Sequence, residues 1–153
     1  MESQVKVVKG SRLIDGTGQV MEGKVAVVID GNRIRAAGPE RATPVPAEAE
    51  VIDATGATLM PGLIDCHLHL SEFNVLTFDN YRVARFEVSR PLQAFYALFH
   101  AQICLEMGFT TLRDLGMITP TGLNISEMVA LRDAIDAGIV AGPRLKVAGW
   151  AAI

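Results

Sequence analysis

Asp65, His67 and His69 follow one another at steps of two in the run GLIDCHLHL, from Gly62 to Leu70. An extended strand sends alternate side chains to opposite faces, so this spacing predicts one polar face and sets Ile64, Cys66, Leu68 and Leu70 on the other. Two imidazoles at i and i+2 have Cα atoms roughly 6.5–7 Å apart, and both can tilt onto one ion at about 2.0–2.1 Å per nitrogen. The chemistry such a pair can do is metal ligation. Imidazole suits zinc, and also manganese, iron, nickel and cobalt, so the spacing by itself does not choose the ion. Asp65, one step deeper, is placed to fix a ring tautomer or to hold a neighbouring strand. Taken alone, an H-x-H pair is as readily two satisfied polar residues on a half-exposed edge. The apolar flanks Leu63, Ile64, Leu68 and Leu70 weigh against that, because they belong to a strand covered on its other side.

The elements that must position this strand follow from the pattern around it. After the Pro61-Gly62 step the rhythm is strand, helix, strand, helix, strand: 63–69, about 89–107, 110–113, about 126–137 and 145–150. Strands alternating with helices of this length predict a parallel sheet with crossover helices. Ser89 before Pro91 and Ser126 are expected to cap the helices, with Gly108 and Gly138 following them. Within the first helix Leu92, Phe95, Phe99, Ile103 and Met107 form an apolar stripe, and His100 is read as a packed or surface residue. Residues 1–60 read differently, as short β-rich runs at 5–8, 24–29, 33–37 and 51–53 separated by glycine turns. Asp30, Gly31 and Asn32 predict a hairpin, and the proline- and alanine-rich 39–50 a loop. The expected fold is therefore α/β, a β-rich part at 1–60 leading into a β-α-β-α-β part at 61–153.

Composition narrows the partners. The chain of 153 residues is half hydrophobic and one-fifth charged, and its 14 basic against 17 acidic residues are scattered, giving a net charge of −3. No basic stripe points to nucleic acid, and small molecules are the expected partners. The most apolar window, 91–109, is interrupted by Gln93, His100, Gln102 and Glu106, which argues for a buried helix and against a membrane span. The N-terminus lacks the apolar run of a secretory signal, so the cytoplasm is the expected location. Cys66 and Cys104 make neither a disulfide framework nor a CxxC pair, and both are expected as reduced thiols near the core. A mean hydropathy of +0.29 is high for a domain this short. Apolar surface left uncovered, with self-association through it, is the expected reason.

The run LMPGLIDCHLHL, 59–70, resembles the signature of the metal-dependent amidohydrolase superfamily, in which a Pro-Gly step enters the first strand of a (β/α)8 barrel and H-x-H closes it. GFTTLRDLG at 108–116 and AGPRLKVAG at 141–149 are similar to the second and third strands of its imidazolonepropionase-like and prolidase-like subgroup. RLIDGTG and VAVVIDGNRIRAAGP resemble the N-terminal strands of the small β-sandwich found there. The resemblance implies N-terminal β-sandwich-type strands, followed by the first three strands and two helices of an incomplete TIM-type barrel. It implies hydrolysis of a C–N bond in an amide, cyclic amide or dipeptide-like substrate by metal-activated water, with His67 and His69 as metal ligands. Zinc is the first expectation among divalent ions, with one or two ions in the complete enzyme.

The family's remaining ligands and its catalytic aspartate come from later strands, so no catalytic residue is expected within this chain. A (β/α)8 barrel needs roughly 200–250 residues, and only about 90 follow Met60. A catalytic zinc usually has three protein ligands plus water, so the 153-residue chain is expected to be inactive alone. The competing expectation is a non-catalytic chain acting only as a structural or assembly module. Arg113 and Asp114, near the C-terminal end of the second strand, are candidates for contacting substrate or supporting the metal site. A structural ion pair or a helix cap is the reading set against that.

Overall fold

A computed structural model describes residues 5–71, 87–119, 122–124 and 126–148. The chain divides into two compact units, Met1–Pro61 and Gly62–Ile153.

The first unit is a four-stranded sheet of β1 (Val5–Ile14), β2 (Val20–Asp30), β3 (Arg33–Pro39) and β4 (Glu50–Leu59), with a single 3-10 turn at Glu40–Ala42. Its order is β3-β2-β1-β4, antiparallel except for the β1–β4 pair. The strands run longer than the β-rich patches suggest, because pairing carries the chain through polar residues that propensity alone would release. The hairpin falls where Asp30-Gly31-Asn32 places it: Asp30 pairs with Arg33, Gly31 takes φ +58°, and the Arg35 guanidinium donates two hydrogen bonds to Asp30 Oδ2. Val7, Ala26 and Val28 form the unit's buried cluster. Burying each valine contributes about 1.5–3 kcal/mol. Leu13, Val27, Ile34, Ala37 and Leu59 line an apolar groove of about 260 Å³ in this unit.

The second unit holds a parallel three-stranded sheet, order β5-β6-β9, of β5 (Leu63–Leu68), β6 (Phe109–Asp114) and β9 (Arg144–Val147). Helix α1 (Arg90–Glu106) joins β5 to β6, and α2 (Ser126–Asp136) precedes β9. Leu70, Leu112 and Leu145 pack with Ala97 and Ala101 of α1 and Met128 and Leu131 of α2 in one core. The end signals act mainly through backbone. Pro91 sits in the first turn of α1, and Gly108 at φ +93° and Gly138 at φ +70° close the helices by donating to Leu105 and Ile135.

Four expectations need correction. Ser89 makes no side-chain capping bond. Ser126 is the first residue of α2, and its hydroxyl donates to Glu127 Oε2 at 2.9 Å. A short antiparallel hairpin, β7 (Met117–Thr119) with β8 (Gly122–Asn124), stands between β6 and α2, where no element was expected. The apolar stripe of α1 is not its core face: Phe95 is 67% and Phe99 58% exposed, while Gln93, Ala97 and Ala101 are buried. Small residues let the helix lie close on the sheet, and the larger ones are left outside. The last strand ends at Val147, and 149–150 of its expected span lie outside the described residues.

Candidate metal centre

The parallel sheet puts the C-terminal ends of β5, β6 and β9 side by side, which is where open and closed α/β sheets carry their sites. Backbone bonds fix those ends: the Leu115 N–H donates to the Leu68 carbonyl at 3.0 Å and the Ala148 N–H to the Asp114 carbonyl at 2.9 Å. His67 is the penultimate residue of β5, and His69 lies just past its end. Their ring centroids are 5.6 Å apart and the planes nearly perpendicular, at 77°. Both rings are exposed, so an ion can reach them from solvent.

Strict alternation does not bring them there. Asp65 pairs with Leu112 and Leu68 with Asp114, so two residues of β5, Cys66 and His67, oppose one of β6, Arg113. Such a bulge breaks the period of two and re-aims the side chains beyond it. The Asp65 carboxylate accepts the His67 N–H at 2.9 Å, across the bulge, and lies close enough to Cys104 for its charge to act there. Burial first, and the Asp65 charge second, push the Cys104 thiol pKa up, so Cys104 is a poor nucleophile. The expected apolar face is also incomplete: Leu68 and Leu70 reach the core, while Ile64 and Cys66 at this sheet edge are exposed.

For the His69 ring the bonding partner is a backbone group and not Asp65. The His69 Nδ1–H donates to the Gly116 carbonyl. A carbonyl only accepts, so the ring proton is assigned to Nδ1 and the Nε2 lone pair is left for a ligand. Asp114 is fully buried; its Oδ2 accepts the Leu70 N–H at 2.6 Å and its Oδ1 the Gly116 N–H at 2.7 Å. Burial pushes the Asp114 carboxyl pKa up, and the two amide donors and the nearby His69 pull it back. Among the described residues its partners are these backbone amides and not a cationic side chain. Arg113, its neighbour in sequence, is exposed and stands opposite Lys146 in the register.

His100 Nδ1–H donates to the Leu70 carbonyl at 2.8 Å, tying α1 to the segment after β5. Ser71, 1% exposed, has a hydroxyl without a hydrogen-bond partner among the described residues. Sequence reading passed over Ser71 and the Gly116 carbonyl, since neither a lone serine nor a backbone oxygen carries a side-chain signal. Among the described residues no three His, Cys, Asp or Glu side chains gather as a metal cage, and no helix is long and apolar enough to cross a membrane. The histidine pair fits two ligands of an ion site, with donor type, proximity and the freed Nε2 all suited to it.

Parallel strands packed with two helices in one core, and a histidine pair at the C-terminal end of the first strand, fit the α/β class to which the amidohydrolase barrels belong. Residues 58–151 match the Amidohydrolase family, and the chain belongs to it. It is 46% identical over 63 residues to the dihydroorotase of Mycobacterium tuberculosis, covering 40% of this chain and 14% of that one. It is 51% identical over 55 residues to the imidazolonepropionase of a Methylobacterium species, covering 36% of this chain and 13% of that one. The solved structure of a Xaa-Pro dipeptidase with methionine bound in its active site superposes at a TM-score of 0.77 with 31% identity. That match covers 95% of this chain and 33% of the dipeptidase. The chain thus spans about one-seventh of the curated relatives and one-third of the solved one.

Proposed function

We propose that this chain is the N-terminal portion of a metal-dependent amidohydrolase that cleaves a C–N bond in a small amide, cyclic amide or dipeptide-like substrate. Residues 1–60 are the β-rich part of its small sandwich domain, and residues 61–153 open its (β/α)8 barrel with three strands and two helices. The observation that carries this reading is the pairing of His67 and His69 at the C-terminal end of β5, with His69 Nδ1 bonded to the Gly116 carbonyl. The named relatives, a dihydroorotase, an imidazolonepropionase and a Xaa-Pro dipeptidase, support the substrate class.

His67 and His69 would hold a divalent ion, zinc first among them. Such an ion, when bound, lowers the pKa of a water to about 7 and polarises a scissile carbonyl. This chain's own residues bind and orient. Asp65 and Asp114 hold the backbone around the two histidines through the His67, Leu70 and Gly116 amides. Arg113, exposed near the end of β6, is placed for an anionic or carbonyl group of the substrate. Among the described residues none is assigned proton transfer, and two ligands fall short of a catalytic zinc site, so the 153-residue chain alone is expected to be inactive.

Zinc content of the purified chain, compared with a His67→Ala, His69→Ala double variant, tests the ligand assignment. Zinc retained by the wild type and lost by the variant is the expected result; equal content in both overturns it. Hydrolysis of amide substrates by the isolated chain would overturn its inactivity.

A further inference from the structure

We propose that Asp114 is a positioning residue for His69, setting both the tautomer and the aim of its ring through a closed circuit of hydrogen bonds. The inference rests on the reading of His69 as a metal ligand. The circuit runs from the His69 ring to the Gly116 carbonyl, along Gly116 to its N–H, onto Asp114 Oδ1, across the carboxylate to Oδ2, and back through the Leu70 N–H to the backbone beside His69. The imidazole side chain and the peptide that follows it are thus held by one buried group.

The geometry explains why a carboxylate stands there. Two N–H donors converge on it from different segments, one on each oxygen, and a carboxylate presents an acceptor to both. The carboxylate is fully buried, so neither donor has water as a substitute. Gly116 takes φ +73°, a left-handed turn that brings its N–H back toward Asp114 and presents its carbonyl to His69. The Asp114 side chain therefore acts on the ring without touching it. A histidine side chain free in water prefers its proton on Nε2, and that tautomer cannot present Nε2 to an ion. Ligating histidines are commonly fixed through their other nitrogen, and loss of that partner typically costs 10–100-fold in metal affinity.

In Asp114→Asn one acceptor becomes an NH₂ facing an N–H donor, so one arm of the circuit is lost whichever way the amide turns. Long-range proton–nitrogen spectra of the metal-free 153-residue chain at about pH 8, where imidazole is neutral, read the tautomer directly. Wild-type His69 should carry its proton on Nδ1. In Asp114→Asn the proton should move to Nε2, and zinc affinity should fall by about 10–100-fold, with the amide spectrum of α1 unchanged. A folded Asp114→Asn chain that keeps the Nδ1 tautomer overturns the proposal. If that variant does not fold, the wild-type spectrum decides: Nδ1–H supports the circuit, and Nε2–H overturns it. The tautomer needs no metal, so this outcome is separate from the ligand assignment, which fails if the double histidine variant binds zinc as the wild type does.

Discussion

A Cβ added at Gly62 would stand 2.7 Å from the Cβ of Thr110 on the neighbouring strand, with the branched atoms of that threonine closer still. The constraint is one of space, because Thr110 is β-branched and anchored on β6, and Leu63 just after the glycine donates to the Gly108 carbonyl at 2.9 Å. Gly62→Ala would push the starts of β5 and β6 apart. Overpacking of this kind costs about 1–3 kcal/mol, to be read as a lowered urea midpoint with an unchanged m-value. A loss under about 0.5 kcal/mol would show that Thr110 yields instead. Pro61-Gly62 reads in the sequence as punctuation before a strand, and that much was legible. The close approach across strands was not, because it depends on which residue of β6 lies opposite.

At the level of the element, α1 shows how a correct helix can carry a misassigned face. Its extent, Arg90–Glu106, lies within the span expected from sequence, but the core side is Gln93, Ala97 and Ala101. Ala97 and Ala101 are fully buried against the sheet. Ala97→Leu or Ala101→Leu should therefore cost about 1–3 kcal/mol in chemical denaturation, whereas Phe95→Gln and Phe99→Gln should stay within about 0.5 kcal/mol. The reverse order would put the stripe in the core after all. Periodicity found the helix because apolar residues at steps of three and four mark one face of a helix wherever that face looks. It could not say which face is covered, since small residues score weakly as core and are what a closely laid helix requires. The site divides the same way. His67 and His69 were legible from residue type and spacing. The bulge that breaks their alternation, the Gly116 carbonyl and the two-donor role of Asp114 were not, because each belongs to the register between β5 and β6.

At the scale of the whole molecule, the carboxylates held below their ordinary range among the described residues lie in the unit Met1–Pro61. Asp15 and Asp53 each accept the N–H and hydroxyl of a threonine two residues on, Thr17 and Thr55, and the hydroxyl bond is the larger cause of each lowered pKa. Glu22 and Glu40 are lowered by hydrogen bonds from Arg12, at 2.5 Å, and Lys9, at 2.6 Å. A carboxyl group whose folded pKa lies below its unfolded value contributes stability above the unfolded pKa and loses it as pH falls through the folded one. The ordinary values are 3.8 for the aspartates and 4.5 for the glutamates, so the loss in this unit begins near there and continues below. All four groups face solvent, so each contribution is small and the effect is their sum. Urea titrations followed through the amide signals of β1 to β4 should show a lower midpoint at pH 3 than at pH 5. Added salt should shrink the part owed to Glu22 and Glu40, whose partners are charged, and leave the threonine-bonded part of Asp15 and Asp53. Asp15→Asn with Asp53→Asn should then remove most of what remains at high salt. A midpoint in this unit unchanged between pH 5 and pH 3 would mean that these bonds are equally present in the unfolded chain, as turns that form locally within DGT and DAT can be.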